Sequence, residues 1–152
     1  MKTLASPSVL QSIVERISRI TPDRHALWGR MNAHQMLCHL ADSFQVPLGG
    51  KRARMASGIL PRSVMKYGGL YIPLRWPKGI ATMPAIDQSM GGTPPADFEA
   101  DRAKLIEVAR RFAALPLDFQ WIPHPIFDHM SRWEWMRWGY LHPDHHLRQF
   151  GG

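Results

Sequence analysis

The chain has 152 residues, the length of one domain, which excludes a long multidomain assembly. Its 45% apolar content supports a sizeable core, and with 20% charged residues it falls outside the disordered and fibrous classes. The net charge of +7, from nineteen basic and twelve acidic residues, sits in one place: no acidic residue lies between Asp42 and Asp87, whereas Lys51, Arg52, Arg54, Arg62, Lys66, Arg75 and Lys78 all do.

Apolar residues Leu10, Ile13, Val14, Ile17 and Ile20 recur at helical spacing behind Ser6 and Pro7, an N-cap and a favoured first helical residue, and predict a first helix over 7–20. Thr21-Pro22-Asp23 ends it, because proline cannot continue the hydrogen-bond ladder. A second helix is expected from Asn32, with Gln35 three residues on as in a capping box, to about Val46, where Pro47, Gly49 and Gly50 stop it. Its stripe is Ala33, Met36, Leu37, Leu40 and Phe44.

Residues 49–95 are rich in glycine, proline and basic side chains, and only 59–74 is apolar enough for a short helix or two. A connection of that length inside a compact domain serves as a lid or binding loop, or is disordered. Its positive charge attracts anionic partners, or simply keeps a solvated loop in water. After Pro94 and Pro95 a third helix carries Asp97, Glu99 and Asp101 in its first turns and Phe98, Leu105, Ala109 and Phe112 on one face, and it ends near Leu115-Pro116. A fourth starts at Ser131, capped with Glu134, and runs to about Gln149 over a stripe of Trp133, Met136, Tyr140 and Leu147. Pro143 predicts a kink or tightened turn around 139–143. These patterns describe an all-α chain, a single domain over 1–152, built as a four-helix bundle with a long crossover connection between helices two and three.

No apolar run approaches the roughly 18 residues of a membrane span, and Ser6, Pro7 and Ser8 replace a secretory apolar core, so no membrane partner is expected. Lone Cys38 cannot pair within the chain, in keeping with a reducing, cytoplasmic location.

Eight histidines are many for this length, and His142, His145 and His146 share the fourth helix. His142 and His146, four apart, lie within about 40° on a helix and can point at one ion. His145, three from His142, competes for that role, although it stands about 100° round from His146. A third ligand must come from elsewhere, since three protein ligands plus an open position is the usual catalytic arrangement of zinc and its relatives. His39, at the edge of the second helix's stripe, is the candidate, with Trp135, Trp138 and Gln149 as an apolar wall. Spacing alone equally accommodates surface histidines near a frayed terminus, with His39 a satisfied core residue. Asp42, one turn after His39, reads as an exposed carboxylate rather than a ligand-orienting group or base, and Cys38 as a small buried hydrophobe. His25, His34, His124 and His129 have no partner set by spacing.

The segment Trp28-Gly29-Arg30-Met31-Asn32-Ala33-His34-Gln35-Met36-Leu37-Cys38-His39-Leu40 opens a set of recognisable motifs. Pro77-Lys78-Gly79-Ile80-Ala81-Thr82, His124-Pro125-Ile126-Phe127, Trp135 and the tail from His142 to Gly151 complete it. Together they resemble a branch of the DinB/YfiT-like superfamily with an HxxHHLRQFG-like tail, over nearly the whole chain. The resemblance implies a four-helix bundle in which His39, His142 and His146 hold a divalent metal ion, zinc or nickel foremost. It also implies a metal-dependent enzyme, a thiol-dependent S-transferase or a hydrolase, that activates a bound low-molecular-weight thiol or water. The substrate is then a small molecule, and the position and positive sign of segment 51–78 suit an anionic one. A homodimer is the expected assembly, and nucleic acid is not an expected partner. The alternative is a non-catalytic interaction or stress-response module with weak or no metal binding.

Overall fold

The computed structural model describes residues 1–55 and 61–152. Ile59 and Leu60, the start of the expected 59–74 helical stretch, lie outside the described residues. Those residues form five α-helices: α1 (Pro7–Ser18), α2 (Ala33–Gln45), α3 (Arg62–Leu70), α4 (Phe98–Ala113) and α5 (Arg132–Gln149), with a 3-10 turn at Pro84–Ile86. The described part is all-helical, and its only β-type pairing is an isolated bridge between His124 and Asp128. No helix among the described residues is long and apolar enough to cross a membrane.

Local chemistry sets the helix starts. The Asn32 side chain accepts from the Gln35 N–H at 2.8 Å, and the Asn32 N–H donates to Gln35 Oε1 at 3.0 Å, closing the expected box. Ser131 and Glu134 do the same for α5, and Asp97 caps α4 by accepting from the Ala100 N–H at 2.8 Å. Ser6 occupies the cap position of α1, but its side chain makes no capping bond; Pro7 supplies the start through its fixed φ.

α2 packs along α4, α1 lies against α4 and α5, and α5 also meets α2 and α3. Fully buried Ile13, Met36, Leu40, Phe44, Leu105, Phe112, Trp135 and Leu147 fill the space between them, each stabilising the fold by about 1.5–3 kcal/mol relative to exposure. Gly139 lets α4 approach: a Cβ there would stand 2.7 Å from Phe112 Cε1 and 3.1 Å from Leu4 Cδ1.

One detail of α5 departs from expectation. Its buried face is Trp135, Met136, Trp138, Leu141 and Leu147, whereas Trp133 is 40% exposed and Tyr140 only half-buried. A single stripe underdescribes a helix covered on several sides; here α3 and the 121–127 segment add cover, with Trp121 stacked on Trp135 at 5.1 Å. The helix runs from Arg132 to Gln149 through Pro143, which is buried, so the missing donor does not end it.

Candidate metal centre

His39, His142 and His146 converge: each offers a ligand atom, and these atoms lie within 4.8 Å of one another. His39 Nε2 and His142 Nε2 are 3.2 Å apart, close to the roughly 3.3 Å between two nitrogens that are each 2.0–2.1 Å from a tetrahedral zinc. The rings of His39 and His146 are centred 4.7 Å apart, and those of His142 and His146 4.9 Å apart.

Their surroundings set which nitrogen faces inward. A carbonyl oxygen only accepts, so His39 Nδ1–H donates to Ile86 O at 2.8 Å, and its Nε2 carries the lone pair. The Gln149 amide donates through Nε2 to Trp28 O, which leaves Oε1 to accept from His146 Nδ1–H at 2.9 Å. His146 therefore also presents an unprotonated Nε2. Gly29 makes room for this clasp: it has φ +84°, and a Cβ would stand 2.5 Å from Gln149 Nε2.

His39 is 3% exposed and His146 also buried, while His142 is half-buried. Burial pushes all three below the ordinary histidine value, His142 and His146 well below it, and the neighbouring imidazoles push His142 and His146 in the same direction. The rings are thus neutral near pH 7, the form that binds metals. Two neutral imidazoles turning lone pairs toward a third ring, with no carboxylate among them, suit a cation better than a hydrogen-bond network. The donor set therefore fits a divalent first-row ion.

Of the competing histidines, His145 stands beside the cluster, 5.1 Å from the His146 ring and edge-on to Trp28 at 5.9 Å. Trp138 lies against His142 at 5.2 Å, as the apolar-wall reading expects, and Trp76 covers His142 and His145 at 6.0 and 6.1 Å. Trp76 is held by its Nε1–H donating to Gly69 O at 2.7 Å, so α3 places this ring. Lys78 Nζ sits 4.5 Å over the Trp28 ring. Sequence reasoning missed Trp28 and Trp76; their one signal is that each lies in or beside a quoted motif.

The basic segment is partly committed to structure. Lys51 Nζ donates to Asp42 Oδ2 at 2.7 Å, and Lys66 reaches Glu134 at 3.3 Å. Asp42 is not the exposed carboxylate expected. It is 5% exposed, and it accepts from Lys51, Gln88 and the Thr93 N–H and hydroxyl, anchoring the 88–93 loop onto α2. Cys38 is buried, with its thiol pushed up to about 12 by desolvation and by the Asp101 charge.

His124 has a structural task. Its Nδ1 accepts from the N–H groups of Ile126 and Phe127 at 3.1 and 3.2 Å, and its ring stacks on Phe127 at 4.8 Å. These contacts fix the turn that Asp128, at φ 60°, closes.

The tail histidines, their Gln149 clasp and the Trp28-Gly29 turn all fall within residues 4–151, the span over which the chain matches the family described as "Protein of unknown function (DUF1569)". The chain belongs to this family. No curated protein and no solved structure matches it. In this family member the matched span includes all three converging histidines and the groups that orient them.

Proposed function

We propose that the protein is a divalent-metal-dependent enzyme of the DinB/YfiT-like type, with zinc or nickel held by His39, His142 and His146, catalysing thiol-dependent S-transfer or hydrolysis. In this reading α1, α2, α4 and α5 are the helices of a four-helix bundle, and α3 belongs to the crossover between the second and third of them. The observation that carries the metal reading is the orientation of His39 and His146: each ring has its Nδ1 proton engaged outward by a carbonyl oxygen, leaving Nε2 for an ion.

When bound, the cation supplies the charge that keeps a thiol or water deprotonated near neutral pH. The chain's own residues do the rest. Burial keeps the three imidazoles neutral, Trp138 and Trp76 shield His142 from water, and Lys78 beside Trp28 offers a positive group to a small anionic substrate or thiol. A cytoplasmic thiol of low molecular weight, which carries carboxylates, matches that charge.

The test is metal content of protein purified without an affinity tag, wild type beside His142→Ala. About one equivalent in the wild type and at least a tenfold loss in the variant is the expected result. Equal, negligible content in both overturns the reading. A non-catalytic interaction or stress-response module is favoured by a different observation: neither the cavity at Asp42 and Lys51 nor the crevice at His124 and Trp138 is lined by the three histidines. Negligible metal in both proteins, with the helical fold intact by circular dichroism, supports the module instead.

A further inference from the structure

We propose that His34 and Cys38 of α2, with Asp101 of α4, form a second divalent-cation site of the zinc class, opening onto a cavity between α2 and α4. His34 Nε2 lies 2.7 Å from Asp101 Oδ2, and these two groups and the Cys38 sulfur offer ligand atoms within 4.8 Å of one another. His34 and Cys38 are four residues apart and share one face of α2, while His39 stands about 100° round from Cys38, so the two sites use different faces. The inference does not depend on the proposed enzyme.

The chemistry of the set decides its class. One imidazole nitrogen, one thiol sulfur and one carboxylate oxygen are the three zinc ligand types, and three protein ligands leave a fourth position free. The Ala96 N–H orients Asp101 by donating to its Oδ2 at 3.0 Å, and Phe98 packs edge-on against the His34 ring at 5.2 Å. An ion pair would need only His34 and Asp101; the Cys38 sulfur within the same 4.8 Å makes a ligand set.

The cavity, about 380 Å³ and lined by Cys38, Asp42, Lys51, Thr93, Asp101 and Lys104 among others, has room for a water or a small anion as fourth ligand. Its two lysines are paired, Lys51 with Asp42 at 2.7 Å and Lys104 with Glu107 at 3.1 Å. They therefore do not cancel the attraction of Asp101 for a cation. Loading releases the Cys38 proton to solvent and moves the His34 proton from Nε2 to Nδ1, so the dication takes the place of the His34–Asp101 contact while the Ala96 N–H stays on the carboxylate; no electron is transferred.

Cobalt(II) titration of the full chain, stripped of metal, tests the site by a signal the three-histidine cluster cannot produce. Sulfur-to-cobalt charge transfer requires the thiolate of Cys38, the chain's single cysteine. The expected result is a near-ultraviolet charge-transfer band in the wild type, its loss in Cys38→Ser, and at least tenfold weaker binding at that band in Asp101→Asn and His34→Gln. His142→Ala should keep the band while losing the other equivalent. Circular dichroism of each variant separates lost binding from lost folding, and half-exposed His34 gives the substitution least harmful to the core. Cobalt bound without the band, or a band of unchanged affinity in both Asp101→Asn and His34→Gln, overturns this inference while leaving the three-histidine reading intact.

Discussion

Replacing His124 by asparagine should reduce the acid sensitivity of the fold by an amount the structure sets. The folded ring is held neutral: its Nδ1 accepts two backbone N–H groups, and burial pushes it down to about 3. An unfolded histidine titrates near 6.5, so between these values the unfolded chain binds one proton more than the folded chain. The contribution is therefore present above pH 6.5 and is lost as pH falls toward 3, at about 1.4 kcal/mol per pH unit. Between pH 6 and pH 4 that amounts to roughly 2–3 kcal/mol for a shift of this size. Asparagine places an acceptor oxygen where Nδ1 stood and keeps the turn as an Asx-type cap, but it does not titrate. Urea unfolding of both proteins at several pH values reads the difference directly. The other buried histidines contribute equally to both curves and cancel. Parallel curves, with a constant offset from pH 6 to pH 4, would refute the reasoning, because the ring would then be open to protonation in the folded state.

Gly29→Ala should weaken metal binding about 10- to 100-fold without unfolding the chain, since a Cβ would displace the Gln149 amide and leave His146 Nδ1 without its acceptor; metal competition with a chelator measures it. Gly139→Ala should destabilise by about 1–3 kcal/mol through overpacking against Phe112, although alanine favours an isolated helix; denaturant midpoints give the sign. Glu134→Gln keeps the capping box but removes the carboxylate that Lys66 and Tyr71 engage, and should cost about 1 kcal/mol at pH 7. Glu134 is held below the usual glutamate value, so this difference is present above about pH 4.5 and disappears as pH falls through its folded value; unfolding at pH 7 and pH 3 shows both limits.

The helices were legible in the sequence because their determinants lie within a turn or two of one another. Asn32 with Gln35, Asp97 with the Ala100 N–H, and Ser131 with Glu134 are contacts across three residues, and the repeats of α1, α2 and α4 mark the faces they bury. The four-residue spacing of His142 and His146 likewise restricts both to one side of α5 before anything else is folded. Packing between distant segments decided the rest. It brought His39 rather than His145 to the tail pair, buried Asp42 under the 88–93 loop, joined Asp101 to His34 and Cys38, and used α3 to lay Trp76 over His142. No local pattern encodes these meetings, because each depends on where two helices cross and on which side chains fill the space between them.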